Sequence, residues 1–357
     1  MDIQTKLDLC KQVGEEILTE EELKTLLETK KNPIAYDGFE PSGNPHIAQG
    51  IIRSININKL TKAGFRFKML VADWHAWAND KLDGDLDKIQ TVGKYLIELW
   101  KVTGMNLDKV DFIWANDLMQ EPKYLKKVMK VATNTTIKRA IRCSQIMGRS
   151  ESSSLKSSQI MYPCMQAADI FHLNVDVCQL GMDQRKVNVL AREVGDKLFG
   201  YKPVAIHHHM LMGLGQPPSK LEGMEKAMAM KMSKTDPNSA IFMTDTEKEI
   251  IKKINKAHCP EGIVEENPVM EYAKYIVFEK FKEFNIERPD KFGGNVSFGS
   301  YDELVKAYSK KELHPGDLKQ GVANKINEVV SPVRKHFEKN KKAKELFEKV
   351  QSFKVSK

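Results

Sequence analysis

Short strand patterns alternate with longer helical patterns between residues 34 and 114, and this alternation constrains the fold of the 357-residue chain more than any other feature. Strands are predicted at residues 34–39, 67–73 and 110–114, and helices at residues 46–62 and 86–103. Each connection between strands is long enough for a helical crossover, which favours a parallel sheet with helices on its faces. The chain is therefore expected to be an α/β protein.

Helical patterns lie on both sides of this region. Residues 1–30 are predicted to be helical, with Thr19 and Glu22 spaced as an N-terminal capping box. Helices are expected through much of residues 121–198, a flexible loop at 213–231, and lysine-rich helices from residue 246. The end of the N-terminal segment at residue 30 and a domain boundary near residue 240 divide the chain into three parts. These are an N-terminal helical segment (1–30), an α/β domain (31–240) and a helical domain (241–357).

Composition limits the class of protein. The net charge of +8 and the pI near 9.0 favour a polyanionic partner such as nucleic acid, although charge alone leaves this open. The five cysteines are odd in number and form no Cys-x-x-Cys pair, which predicts reduced thiols, a cytoplasmic protein and no zinc site. No apolar run approaches the roughly 20 residues that span a bilayer, so no membrane partner is expected.

Two short segments suggest a phosphate site. Residues 41–50 read Pro-Ser-Gly-Asn-Pro-His-Ile-Ala-Gln-Gly, a strand-to-helix turn in which Gly43 permits close approach of a ligand and His46 can donate to a phosphate. Residues 231–235 read Lys-Met-Ser-Lys-Thr, with Lys231 and Lys234 on a predicted loop. Each segment alone favours an ordinary turn or solvated lysines. Both in one α/β domain favour a site for a triphosphate.

In this order the two segments resemble the signature motifs of class I aminoacyl-tRNA synthetases. Residues 34–332 are similar to the archaeal and eukaryotic type of tyrosyl-tRNA synthetase, with matching runs at 36–43, 72–76, 162–170, 181–186 and 313–319. The runs at 162–170 and 181–186 are the specific ones. Three positions depart from the family pattern, because Ala48 and Gln49 replace the glycine and the second histidine of the first motif and Thr235 replaces the last serine of the second. Gln49 keeps a hydrogen-bond donor but carries no charge.

The resemblance implies an architecture and a reaction. The fold would be α/β, with a Rossmann-like parallel-sheet catalytic domain, a helical insertion at about 115–165 that joins a homodimer, and an α-helical C-terminal anticodon-binding domain. The reaction would convert L-tyrosine and ATP, the latter with Mg²⁺, into tyrosyl-adenylate and pyrophosphate, and then transfer tyrosine to tRNA(Tyr). The nucleophile is the tyrosine carboxylate, so no catalytic base or metal held by the protein is predicted.

A phenol-binding pocket follows from the residue types. The Asp169 carboxylate can accept the substrate O–H while Tyr36 donates to the same oxygen. Phenylalanine would leave both groups unpaired, and tyrosine-specific synthetases are themselves the usual example of this rejection without editing. Positions 162, 166 and 169 share one face of a predicted helix, which faces either the substrate or solvent. With the residues that the resemblance adds, the predicted tyrosine site is Tyr36, Glu40, His75, Tyr162, Gln166, Asp169 and Gln184.

By the same resemblance, the catalytic residues would be His46, Lys231 and Lys234. The ATP-binding residues would be Gly43, His46, Gln49, Gly181, Asp183, Lys231, Ser233 and Lys234. For His75, a place in the core or in the pocket wall is at least as compatible with the sequence as direct contact with the substrate. The run at 207–209 contains three histidines, but adjacent strand residues alternate faces, which argues against one metal ion.

The predicted tRNA contacts rest on resemblance alone. Arg142 and Arg185 would meet the acceptor end, while Phe292 would stack on an anticodon base and His314 and Asp317 would bond its edge. A buried aromatic and a helix cap are the structural alternatives for this last group. Two other functions also remain open at this stage, namely a tryptophan-specific synthetase and a non-catalytic RNA-binding relative.

Overall fold

A six-stranded sheet is the framework of the described chain, and the computed structural model describes residues 1–148, 154–221, 223–232 and 237–353. Its strands are β1 Glu16–Leu18, β2 Ile34–Phe39, β3 Arg66–Val71, β4 Val110–Trp114, β5 Val177–Gly181 and β6 Val204–His208. They lie in the order β1-β6-β5-β2-β3-β4. All neighbouring pairs are parallel except β1 and β6. The predicted α/β fold with a parallel sheet is therefore confirmed.

Helices cover both faces of this sheet. Up to residue 230 they are α1 Ile3–Lys11, α2 Glu20–Thr29, α3 Arg53–Lys62, α4 Asp73–Ala78, α5 Leu86–Trp100, α6 Ala115–Met119, α7 Pro122–Ala132, α8 Ile137–Arg142, α9 Ser157–His172, α10 Arg185–Phe199 and α11 Gly223–Met230. Alternate residues of the strands belong to two apolar clusters. Ala35 and Phe39 of β2 pack in one cluster and Tyr36 packs in the other, as the pleat of a sheet covered on both faces requires.

The remaining chain is mostly helical. Its helices are α12 Glu247–Lys256, α13 Pro268–Tyr272, α14 Phe278–Lys280, α15 Tyr301–Ser309, α16 Pro315–Lys339 and α17 Lys341–Gln351. A small antiparallel hairpin, β7 Phe284–Ile286 with β8 Val296–Phe298, interrupts them and was not predicted. Its strands are short, and the alternation of buried and exposed residues covers too few positions to stand out in the sequence.

The N-terminal segment corrects one prediction. Its helices and the Thr19–Glu22 capping box are confirmed, but the wholly helical interpretation of residues 1–30 is wrong, because β1 lies between α1 and α2. This strand adds to the open edge of the sheet beside β6. Three residues are too few to show a period in the sequence, so only tertiary pairing identifies them as a strand.

Several predicted boundaries also change. The strand predicted at residues 67–73 ends at Val71 because Asp73 begins α4, where its carboxylate accepts from the backbone N–H groups of Trp74 and Asn116. The helix predicted from His46 begins as a π-helix at Ala48–Ile52 before α3. The loop predicted at 213–231 contains α11, since its Met, Ala, Glu and Lys residues are good helix formers.

Among the described residues, no helix combines the length and the apolar character that crossing a bilayer requires.

Candidate active site

A cavity of about 660 Å³ opens where β2, β5 and β6 reach their carboxyl ends. Chain order turns from one side of the sheet to the other between β2 and β5, and such switch points are where α/β sheets bind ligands. The volume lies in the range of small-molecule sites. Most of the predicted substrate residues line it, namely Tyr36, Glu40, His46, Gln49, His75, Tyr162, Gln166, Asp169, Gly181, Asp183, Gln184 and Lys231.

A fully buried carboxylate, that of Asp169 on α9, lies in the wall of this cavity. The Tyr124 hydroxyl donates to its Oδ1 at 2.8 Å. The Tyr36 hydroxyl lies 3.5 Å from Oδ2, and the Nε2 atom of His75 lies 3.0 Å from the same oxygen. Side chains from β2, α4 and α7 therefore converge on one carboxylate, two of them with hydroxyl groups and one with an imidazole.

Burial and this carboxylate also determine the charge states nearby. Burial raises the pKa of Tyr36 and of Tyr124 well above the ordinary value, and Asp169 adds to the effect. Burial opposes the charged form of His75, but the adjacent Asp169 carboxylate outweighs it and raises the pKa of that imidazole. Both phenols therefore stay protonated at neutral pH and remain hydrogen-bond donors.

Tyr124 was not predicted as a site residue. It lies on α7, where Tyr124, Val128 and Val131 are buried. This i, i+4, i+7 spacing shows in the sequence which face of the helix points inward. It does not show that the inward face meets Asp169, which is 45 residues away along the chain.

A second carboxylate, that of Glu40, follows β2. The Tyr162 hydroxyl donates to its Oε1 at 2.7 Å, the Asn79 amide donates at 3.0 Å, and the ammonium of Lys81 lies 3.7 Å from Oε2. Burial and the neighbouring Glu40 raise the pKa of Tyr162 well above its ordinary value. The hydroxyl of Tyr162 is thus a neutral donor, and it is hydrogen-bonded to the Glu40 carboxylate at the cavity wall.

Gln166 and Gln184 complete this side of the cavity. The Gln166 amide donates to Oε1 of Gln184 at 3.2 Å, and the Gln184 amide donates to the Ile146 carbonyl at 3.1 Å. Gln166, like Tyr162 and Asp169, is buried, so the predicted common face of α9 points into the protein and not into solvent.

The turn at residues 41–50 forms the opposite wall. Gly43 has φ of +112°, a conformation that favours glycine. Ile47 N–H donates to the Ile241 carbonyl at 2.8 Å, which ties this turn to the segment that precedes α12. The backbone N–H of His46 donates to Oε1 of Gln49 at 3.3 Å, so Gln49 caps the turn as well as facing the cavity. The His46 ring is half-buried in the same wall.

The end of β5 brings Gly181 close to the Asp183 carboxylate. A Cβ atom on Gly181 would lie 2.7 Å from Oδ1 of Asp183, so only glycine leaves this aspartate in place. The Lys231 ammonium lies 3.6 Å from the Asp183 carboxylate across the cavity. Ser233 and Lys234, which were predicted to bind ATP, lie outside the described residues.

Two polar pairs in the cavity wall were not predicted. Arg53 donates from Nε to the buried carboxylate of Asp37 at 2.7 Å. Nδ1 of His208 lies 2.6 Å from the Gln179 amide, and burial together with Arg53 lowers the pKa of His208 to about 3. Neither pair has a sequence motif, because each joins residues on different strands or helices.

The three adjacent histidines have different partners. His207 contacts Glu16 and Asn188, while His208 contacts Gln179. His209 stacks on Tyr275 with ring centroids 4.6 Å apart. Alternation along the strand therefore sends the first two to different neighbours, and within the described ranges no cluster of three or more potential metal ligands occurs.

The predicted tRNA contacts lie outside the cavity. Arg142 is exposed at the end of α8, and Arg185 at the start of α10 pairs with Glu16. Phe292 is 58% exposed, so it is not the buried aromatic of the structural alternative. His314 does cap α16, accepting from Gly316 N–H at 3.0 Å, and Asp317 lies in the first turn of that helix.

Comparison with known proteins identifies close relatives. A family model described as "tRNA synthetases class I (W and Y)" matches residues 28–331. "Tyrosine--tRNA ligase 1, cytoplasmic" of Arabidopsis thaliana is 49% identical over 358 residues, covering 99% of this chain and 90% of the relative. "Tyrosine--tRNA ligase 2, cytoplasmic" of the same plant is 50% identical, and the chain spans 46% of its length.

Solved structures agree with these matches. A tyrosyl-tRNA synthetase from Pyrococcus horikoshii, complexed with L-tyrosine, superimposes with a TM-score of 0.91 at 38% identity and covers 98% of this chain and 100% of its own. A tryptophanyl-tRNA synthetase from Aeropyrum pernix reaches a TM-score of 0.68 at 19% identity, with coverages of 93% and 84%. That second likeness shows the fold alone.

Proposed function

The chain belongs to the class I tRNA synthetases, as a tyrosine–tRNA ligase of the archaeal and eukaryotic type, and we propose that its central cavity forms tyrosyl-adenylate from L-tyrosine and ATP. Tyrosine then passes to the terminal ribose of tRNA(Tyr). The observation that supports this specificity most strongly is the convergence of Tyr36, His75 and Tyr124 on the buried Asp169.

The phenol of the substrate fits this cluster because it both donates and accepts. Its O–H donates to Asp169, and its oxygen accepts from Tyr36, which is only loosely bonded to Asp169 at 3.5 Å. An indole N–H has no acceptor to offer Tyr36, so tryptophan would leave a buried hydroxyl unpaired at a cost of about 1–3 kcal/mol. The cluster therefore favours tyrosine over tryptophan.

The ammonium and carboxylate of tyrosine would lie nearer the mouth of the cavity. Glu40, Tyr162, Gln166 and Gln184 offer acceptors to the ammonium group. This holds the carboxylate toward the ATP side, where it attacks the α-phosphorus and pyrophosphate leaves. The carboxylate is already an anion, so the protein contributes position and charge stabilisation and needs no base.

ATP would lie between the turn at residues 41–50 and the end of β5. Gly43 and Gly181 allow its close approach, Asp183 accepts from a ribose hydroxyl, and His46 and Lys231 contact the phosphates. Gln49, Ser233 and Lys234 are proposed to assist. ATP would enter with Mg²⁺, which would be held mainly by the substrate and would offset charge on the phosphates.

An exchange assay tests this proposal directly. ATP–pyrophosphate exchange is measured with tyrosine, phenylalanine and tryptophan as separate substrates. Exchange with tyrosine alone supports the assignment, whereas exchange with tryptophan would place the chain with the sister enzymes. Absence of exchange in folded protein that binds tRNA would favour the non-catalytic alternative, whose only support is the departure from the family motif at Ala48 and Gln49.

We propose that residues 241–357 form the anticodon-binding domain, following the catalytic domain at 31–240. Arg288 supports this assignment, because it donates to the Gly294 carbonyl at 2.9 Å and to the Glu312 carbonyl at 3.2 Å. The turn that carries the exposed Phe292 is thereby held near the start of α16. Stacking on Phe292 with edge contacts from His314 and Asp317 is a general mode for reading unpaired bases.

Phe292→Ala is expected to raise KM for tRNA about 5- to 150-fold, since stacking of one base contributes about 1–3 kcal/mol. ATP–pyrophosphate exchange should not change, because Phe292 does not line the cavity. Steady-state aminoacylation and exchange measure the two effects. Ile263→Ala, another apolar residue that is 50% exposed, is the matched control. Equal behaviour of the two variants would contradict a role for Phe292.

We also propose a homodimer joined through residues 115–165. Leu125 and Met129 are 44% and 55% exposed and lie one turn apart on α7, and Ile137 at the start of α8 is 68% exposed. Large apolar side chains exposed together are typical of an interaction surface. Symmetry would place this surface on both subunits.

Met129→Asp is expected to raise the Kd of the dimer about 100-fold or more, because each interface would bury two unpaired carboxylates. Lys123→Asp, on a different face of α7, is the control and should leave the dimer intact. Sedimentation velocity over a range of protein concentrations measures both. A dimer that is unaffected by the Met129 change would place the interface elsewhere.

A cytoplasmic location is proposed for the chain. All five cysteines are unbridged, which suits a reducing compartment, and both plant relatives carry the word cytoplasmic in their names.

A further inference from the structure

Strand β1 places one carboxylate, that of Glu16, in contact with two different parts of the catalytic domain. Nε of Arg185 donates to both oxygens of Glu16, at 3.0 and 2.8 Å. The Nδ1 atom of His207 lies 2.8 Å from Oε2. Glu16 and His207 are also directly paired residues in the register of β1 with β6. The N-terminal strand thus connects the sheet edge to the start of α10.

The second side of His207 fixes this arrangement. Its Nε2 lies 3.0 Å from the amide of Asn188, and the His207 side chain is fully buried. Partial burial opposes ionisation of Glu16, but hydrogen bonds from Arg185 and His207 outweigh it and lower the pKa of this carboxyl group. Glu16 is therefore an acceptor, Nδ1 of His207 carries the proton, and Nε2 accepts from Asn188. The carboxylate is held by both donors and is not a freely moving surface group.

Arg185 lies at the rim of the cavity. It is the first residue of α10 and directly follows Asp183 and Gln184, which line the cavity. Its side chain is 43% exposed. Glu16 accepts hydrogen bonds only from Nε of Arg185. No described residue accepts a hydrogen bond from its Nη1 or Nη2 atom. These two nitrogens form the pair of donors that binds a phosphate group in bidentate geometry.

On the proposed function, the 3′ end of tRNA must enter this cavity to reach the activated tyrosine, so its backbone must cross the rim. We propose that Glu16 is a positioning residue for the transfer step, which holds the Arg185 guanidinium ready for a phosphate at the acceptor end. Glu16 does not line the cavity. The N-terminal strand is thereby part of the RNA-binding surface.

Glu16→Gln tests this inference because its two effects should change tRNA binding in opposite directions. One effect is the loss of the Glu16 charge, and the other is the loss of the contact that positions Arg185. Loss of a negative charge alone strengthens attraction to RNA. Loss of the anchor releases a long, flexible side chain and is expected to raise KM for tRNA about tenfold. ATP–pyrophosphate exchange should stay within about twofold of wild type, because the cavity contacts are unchanged. Glu20→Gln, which removes an equal charge from an exposed pair with Lys11, is the matched control.

A double-mutant cycle adds a second readout. If Glu16 acts through Arg185, then Glu16→Gln should have no further effect on KM for tRNA in an Arg185→Gln background. Additive effects, or Glu16→Gln binding tRNA as well as Glu20→Gln, would overturn the inference. A parallel loss of exchange would also overturn it, because it indicates a general structural role.

A further variant covers the case in which the glutamine variant does not fold. Glu16→Asp keeps the charge and shortens the reach, and it should raise KM for tRNA by a smaller factor with exchange intact. Unchanged KM in folded Glu16→Asp, with the glutamine variant unfolded, would overturn the inference. Absence of tyrosine-dependent exchange in the wild-type protein would instead reject the proposed function itself.

Discussion

Asp169→Asn is expected to lower kcat/KM for tyrosine in ATP–pyrophosphate exchange about 150- to 5,000-fold, since removing one partner from a buried charged cluster costs about 3–5 kcal/mol. The carboxylate now accepts from Tyr124 and faces His75 and Tyr36. An amide of the same shape has one acceptor oxygen, and its NH₂ group would face a donor. The phenol O–H of the substrate would then lose its carboxylate acceptor, and the groups around position 169 would no longer be aligned to bind it.

In the Asp169→Asn variant, the preference for tyrosine over phenylalanine should fall together with activity. Phenylalanine makes no hydrogen bond to Asp169, so its weak exchange should change much less than that of tyrosine. The ratio of kcat/KM for the two amino acids in the same assay measures this. Asp117→Asn, an exposed acid on α6, serves as the control and should behave as wild type. An unchanged ratio in the Asp169 variant would show that the phenol is bound elsewhere.

Lys231→Ala is expected to lower kcat for exchange about 10²- to 10³-fold while KM for tyrosine stays within about twofold. Charge on the β- and γ-phosphates grows as pyrophosphate leaves, so a lysine near them contributes most in the transition state. The residue already lies on the ATP side of the cavity, 3.6 Å from Asp183. The residues proposed to bind tyrosine lie on the other side of the cavity, so KM for tyrosine should not respond to this change.

The control for this change lies on the preceding helix. Lys226 pairs with Glu266 and is only partly exposed, so Lys226→Ala removes an equal charge from a position outside the cavity lining. Lys231→Arg, which keeps the charge, should recover part of the lost activity. Rapid-quench measurement of adenylate formation separates this step from tRNA transfer. A higher KM for ATP with unchanged kcat would instead assign Lys231 to ground-state binding.

The sequence was most informative where a local period or a motif exists. Strand β2 and strand β4 have their predicted bounds, and the capping box at Thr19 is present. The common face of Tyr162, Gln166 and Asp169 follows from helical geometry alone, and burial of all three shows which way it points. These features depend on residues that are only a few positions apart, so local patterns in the sequence are enough to predict them.

The features that the sequence did not predict depend on contacts between distant segments or on strands without a recognisable pattern. Strand β1 has three residues, and β5 is buried along its whole length, so neither shows an alternation that distinguishes a strand. Tyr124 and Arg53 meet Asp169 and Asp37 across distances in sequence that no motif spans. His314 has a local role as well, since it caps α16 in addition to its predicted contact with tRNA.

The sequence by itself therefore determined the α/β class, the family and the set of residues that could bind tyrosine and ATP. Residue type and short spacing decide these properties, because they fix hydrogen-bonding chemistry and which side chains share a face. Only the tertiary structure decided that Tyr124 donates to Asp169, that Arg53 pairs with Asp37 and that Glu16 holds Arg185. Such contacts arise when packing of the sheet and helices brings distant segments within about 3 Å, a hydrogen-bond distance that no local rule of sequence specifies.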